Sequence, residues 1–89
     1  MIEIVIDEGF KRSYKKIIKN NPLINEKFKD KLELFVSDPY HPFLKTHKLS
    51  GSLKHLHAFT VEYDLRVVFK FLDSSTALLI DIGTHESVY

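Results

Sequence analysis

Ile2, Ile4 and Ile6 recur at every second position of the chain, with Glu3 and Val5 between them. That is the period of a β-strand with one buried face. The period then changes. Phe10, Tyr14, Ile17 and Ile18 fall at helical spacing while Lys and Arg residues occupy the other side, which predicts a helix over Glu8–Asn20. Asp7 and Glu8 stand at its start, where carboxylates suit the positive end of the helix dipole. Asn20-Asn21-Pro22 breaks this helix, with Pro22 placed as the first turn of a second one. The second helix should run to about Ser37, bury Ile24, Phe28, Leu32 and Phe35, and end at Asp38-Pro39.

From Tyr40 to Gly51 the pattern is irregular and reads as a loop with room for a short edge strand. Three strands should follow, about Leu53–Glu62, Leu65–Leu72 and Thr76–Ile82. Tyr63-Asp64 and Asp73-Ser74-Ser75 are short enough to join them as hairpins. The expected fold is α+β, a single domain over residues 1–89. Two N-terminal helices pack on one face of a four-stranded, mainly antiparallel sheet, and the other face stays partly open.

Composition narrows the setting. Eighty-nine residues without a cysteine exclude disulfides and thiolate metal sites and suit a reducing cytosol. The segment Met1–Asp7 has neither a basic leader nor a long apolar run, and no later stretch has the length to span a bilayer, so a cytoplasmic protein away from membranes is expected. The net charge of +1 hides clusters. Lys11, Arg12, Lys15, Lys16 and Lys19 crowd the first helix, Lys27, Lys29 and Lys31 the second, and Lys45, Lys48 and Lys54 flank the middle loop. Such clusters either form solvated helix faces or bind a polyanion locally.

Three fragments carry a resemblance. Leu44-Lys45-Thr46-His47-Lys48-Leu49-Ser50-Gly51-Ser52-Leu53-Lys54 resembles an L-x-x-H-x-L-x-G-x-x-K loop. Asp64-Leu65-Arg66-Val67-Val68-Phe69 resembles a D-x-R strand with an apolar continuation. Gly83-Thr84-His85-Glu86-Ser87-Val88-Tyr89 resembles a G-T-H ending with a terminal aromatic. In this order and at this spacing they resemble the RelE/ParE superfamily of toxins, and most of all its YafQ-type branch. The resemblance implies the toxin of a type II toxin–antitoxin pair, a metal-independent endoribonuclease that cuts mRNA on the ribosome. It implies a cognate antitoxin as partner and no cofactor. The alternative within the superfamily is a non-enzymatic ParE-like toxin that binds and inhibits DNA gyrase. The histidines favour cleavage over pure binding.

RNA supplies its own nucleophile. An enzyme that cleaves it needs a proton acceptor for the 2′-hydroxyl, a proton donor for the departing 5′-oxygen, and cations where negative charge collects. With the resemblance, His85 is the general-acid candidate, set just beyond a strand and released by Gly83. Arg66 interrupts an apolar strand. By the period of two it shares a face with Val68 and Lys70, away from the helices, and with the resemblance it is the candidate for phosphate stabilisation. His47 and Asp64 are both candidates for the general base. His47 lies between Lys45 and Lys48, whose charges favour its neutral form, and Asp64 lies in the Tyr63-Asp64 turn. Lys45, Lys48, Lys54 and Lys70 are candidate RNA contacts, and Tyr89 can stack on a base or plug the edge of the domain.

The pattern departs from YafQ-type proteins at two positions. Thr60 and Leu65 stand where that branch often carries a His and an aromatic. His57 can replace the missing imidazole only if a bulge turns it to the other face. His55 and His57, two apart on a strand, are a possible metal pair with His41 or His47, but no carboxylate completes the set by spacing and no metal is expected.

Overall fold

The computed structural model describes residues 1–84; the candidate residues His85 and Tyr89 lie outside them. The elements in chain order are β1 (Glu3–Ile6), α1 (Glu8–Asn20), α2 (Ile24–Ser37), β2 (His47–Lys48), β3 (His57–Glu62), β4 (Leu65–Asp73) and β5 (Thr76–Thr84). Two single-turn 3-10 segments, Pro42–Leu44 and Gly51–Leu53, flank β2. The sheet order is β1-β5-β4-β3-β2. β1 runs parallel to β5, and every other pairing is antiparallel.

The α+β arrangement matches the expectation, with one strand more. The fifth strand is β2, a two-residue edge too short to announce itself through alternation. The strand expected from Leu53 starts only at His57. Leu53 and Leu56 instead belong to a loop that folds back over the sheet. Pro22 and Leu23 form the turn before α2 rather than its first helical residues.

Local chemistry explains the helices. The Asp7 carboxylate caps α1 by accepting the Gly9 N–H at 2.8 Å. A side chain at Gly9 would meet that carboxylate at 2.9 Å, so the absence of a Cβ there keeps the cap intact. In α2 the residues Ile24, Phe28 and Phe35 are buried at helical spacing. Both helices lie on the face of the sheet that presents Phe59, Val61, Leu65, Val67, Phe69, Ala77, Leu79 and Ile82. Aromatic rings dominate this layer. Phe35 is fully buried, with ring centroids 4.7 Å from Phe59 and 4.8 Å from Phe69. Ile6 departs from the expected buried row, being 39% exposed at the sheet edge.

A second, smaller core lies on the opposite, outer face. Leu49 packs there with Ala58 and Val68, joined by Leu53 and Leu56 from the loop. Gly51 makes the loop's reversal at φ +65°. Among the described residues the outer face is therefore roofed at its β2 end and left without a cover toward the β3–β4 hairpin.

Two bulges decide which acids reach that face. Thr60 pairs with Arg66 but Glu62 pairs with Leu65, a shift that sends Glu62 toward the helices. There it meets Lys27 of α2 at 2.8 Å. On β5, Leu79 pairs with Phe69 and Asp81 with Val68, so Ile80 is an extra residue. The extra residue returns Ile82 to the helix-side core and puts Asp81 on the outer face.

Candidate active site

The outer face is organised in cross-strand rows. One row runs His47, Ala58, Val68, Asp81, and the next runs Thr60, Arg66, Gly83. Lys70, two residues beyond Val68 on β4, continues the same face and is exposed. Arg66, Lys70 and His47 thus share one surface, as alternation along β4 predicts for the first two. Ala58 and Val68 are small and lie beneath the loop, which lets the longer side chains stand above the floor.

Arg66 is held at the rim of this face. Its Nη1 lies 3.4 Å from Oδ1 of Asp64, and its side chain is about a quarter exposed. Asp64 occupies the hairpin turn at φ +63°, a backbone region that Asp tolerates better than most residues. This local role and the contact with Arg66 are compatible, and they place Asp64 beside the cation rather than over the sheet. β5 ends next to them: Gly83 is opposite Arg66 and Thr84 opposite Leu65.

His47 is exposed on β2, and its Nδ1 lies 3.0 Å from the carbonyl oxygen of Lys45. A carbonyl only accepts, so this contact fixes the proton on Nδ1 and leaves Nε2 as the acceptor nitrogen of the neutral ring. Lys45 supplies that carbonyl from a left-handed conformation, φ +51°. Strand β2 is two positions from β4, so at a strand spacing of about 4.8 Å the backbones carrying His47 and Arg66 are about 10 Å apart. Lys48 pairs with His57 and by alternation belongs to the helix-side face, apart from His47 and Arg66. Lys54 is exposed at the end of the roofing loop, on the outer side.

His57 does not replace the missing imidazole. The β3 bulge lies beyond Thr60, so His57 stays on the helix side, with its ring 5.5 Å from Phe69 and 5.4 Å from Phe71. His41 is also committed: its Nδ1 accepts the Phe43 N–H at 3.1 Å and caps the 3-10 turn. Among the described residues no three His, Asp or Glu side chains gather as a metal site. No helix among them is long and apolar enough to cross a membrane.

Burial, and then the nearby Lys48 and His47, hold the His57 pKa below the usual imidazole value. Among the described residues its buried Nδ1 has no hydrogen-bond partner. The folded state therefore binds this proton less readily than the unfolded chain. The stability linked to His57 is complete above about pH 6.5 and declines as pH falls from there toward the lowered folded value. His57→Phe should flatten that part of the stability curve relative to the parent protein. Urea midpoints at pH 7.5 and 5.5 test this; an unchanged slope rejects it.

No protein-family model and no curated protein compared with the chain matches it. Solved structures do. YafQ from Escherichia coli, in its complex with DinJ, superposes with a TM-score of 0.81 at 23% identity over 100% of this chain and 99% of that one. A metal-bound toxin from Helicobacter pylori gives 0.78 at 26% identity, with both chains fully covered. A YoeB/ParE toxin from Agrobacterium tumefaciens gives 0.78 at 16%, covering 94% of this chain and 99% of that one. The chain has the RelE/ParE toxin fold, in its YafQ-type form.

Within this RelE/ParE fold the outer face combines Arg66, Lys70, His47 and Asp81, with Thr60 beside Arg66 on the neighbouring strand. Sequence reasoning missed Asp81. The only signal for it was a charged residue inside an apolar strand, the same signal that marked Arg66.

Proposed function

We propose that this protein is the toxin of a type II toxin–antitoxin pair and that it cleaves mRNA without a metal, in the cytosol, on the ribosome. The observation that carries the reading is the single face on which Arg66, Lys70 and His47 are assembled, at the strand end that leads to His85. Arg66 suits a phosphate: its planar, permanently charged group donates paired hydrogen bonds to two oxygens. His47 offers an acceptor nitrogen on the same face. His85 follows Thr84 by one peptide bond, and its role as proton donor to the 5′-oxygen is part of the proposal. Tyr89 would stack on a base. Lys45, Lys54 and Lys70 would contact the RNA backbone, while the placement of Lys48 argues for a lesser part.

The 2′-oxygen loses its proton and attacks the adjacent phosphorus, forming the 2′-O–P bond. The P–O5′ bond breaks, and the 5′-oxygen takes a proton. The products are a 2′,3′-cyclic phosphate and a 5′-hydroxyl, with no change in oxidation state.

The complexes of YafQ with DinJ support an antitoxin partner for this chain as well. A groove of about 650 Å³ on the helix side, floored by Ile6, Phe10, Phe28 and Leu32 and rimmed by Lys11, Arg12, Lys15 and Lys29, suits an acidic amphipathic segment of such a partner.

Primer extension on a translated transcript, with purified protein added, tests the function. Cuts in phase with codons are expected, and they should vanish with His85→Ala. Intact RNA together with inhibited DNA supercoiling would replace this reading by the gyrase-binding one.

A further inference from the structure

We propose that Asp81 is a catalytic residue of this face, the group that accepts the 2′-hydroxyl proton next to Arg66. The inference rests on the endoribonuclease reading above and names a residue that reading does not need.

Three observations converge on it. The first is placement. A regular β5 would carry Asp81 to the helix side with Ala77 and Leu79, both fully buried. The extra residue Ile80 cancels that, and Asp81 pairs with Val68 on the outer face. The same sheet uses its β3 bulge to send Glu62 the other way, into an ion pair with Lys27. Asp81 is consequently a carboxylate of the outer face one row from Arg66, whereas Glu3 and Asp73 lie at the far end of the sheet, opposite Thr76.

The second is proximity. Asp81 and Arg66 are on adjacent strands, and since Gly83 is opposite Arg66, they are diagonal neighbours. Such pairs are about 7–8 Å apart at Cα, within reach of a long side chain or of a ligand held by one. His47 is a further strand away.

The third is orientation. Asp81 is half-buried, and its Oδ1 accepts the Ile82 N–H at 2.9 Å. That contact fixes the carboxylate through one oxygen. Among the described residues the other oxygen has no partner. A carboxylate does not help to bind a phosphate; beside Arg66 it opposes binding by like charge. A proton acceptor is the task that its charge does suit. Asp81 takes the proton as the 2′-oxygen attacks phosphorus, and the resulting carboxylic acid returns it to water after the 5′-oxygen has left.

The test is single-turnover cleavage of mRNA on programmed ribosomes, alongside RNA affinity. Asp81→Asn keeps the shape and an oxygen for the Ile82 amide but removes the basic group. It should bind RNA at least as tightly as the parent and cleave at least a hundredfold more slowly. Asp81→Glu, which keeps a carboxylate, should recover well above the Asn variant. A residue with only a structural role would weaken binding and rate together. Cleavage by Asp81→Asn within threefold of the parent overturns the assignment, as does equal loss in the Asn and Glu variants. A parent protein that does not cleave at all fails one step earlier, at the endoribonuclease reading.

Discussion

Phe35→Ala should remove about a quarter or more of the domain's stability, the largest loss expected from one side chain here. Phe35 is the ring through which α2 meets the sheet. It is fully buried, stacks on Phe59 at 4.7 Å and meets Phe69 edge-on at 4.8 Å, with Phe71 beyond at 6.5 Å. Truncation removes the transfer energy of the ring and leaves a cavity that three flanking phenyl groups cannot close without leaving their own contacts. Such changes cost about 3–5 kcal/mol. A chain of this size is stable by roughly 5–13 kcal/mol in all, so the melting temperature should fall by about 15–30 °C. Phe35→Leu should recover more than half of the loss. Thermal melts followed by circular dichroism decide it. A drop of under 5 °C would mean that α2 is not anchored through this ring.

Phe35 was legible from the sequence, and the reason is general. Ile24, Phe28, Leu32 and Phe35 repeat at helical spacing, and the burial of such a stripe follows from period alone. The same holds for α1, whose ends at Glu8 and Asn20 were marked by an acidic cap and an Asn-Asn-Pro break. On β4, alternation correctly separated Arg66 from Val67 and Phe69. What period cannot show is where it is interrupted. The bulges after Thr60 and at Ile80 have no signature in residue type, yet each reverses the face of an acid: Glu62 leaves the outer surface and Asp81 joins it. The loop from Leu49 to Leu56 is a second case. Leu53 and Leu56 read as the start of a strand, but their burial comes from folding back over Ala58 and Val68. That is a long-range choice, set by a turn at Gly51 and by a small apolar patch that needed a cover. The site face was thus half legible: its cation was seen, while its roof and one of its acids were not.

Arg66→Ala should reduce mRNA cleavage by about 10²–10³-fold while leaving the fold in place. The guanidinium projects from the second residue of β4, which lies between β3 and β5, so its backbone is held by ladders on both sides. In the proposed reaction it is the group that meets the charge gathering on the phosphate as the 2′-oxygen attacks. Losing one preorganised donor group at such a centre typically costs about 2.7–4 kcal/mol of transition-state stabilisation. The structural cost should be small. The side chain is partly exposed, and its ion pair with Asp64 is long at 3.4 Å; pairs of this kind are worth less than about 1 kcal/mol. Arg66→Lys keeps the charge but not the paired geometry, and it should fall between the parent and the Ala variant. RNA affinity should weaken at low salt, and its salt dependence should drop by about one phosphate contact. Single-turnover cleavage on programmed ribosomes, with a melting curve for each variant, separates the effects. If Arg66→Ala is stably folded and cleaves within threefold of the parent, the phosphate is held elsewhere, and Arg66 is not the cation on which the reaction depends.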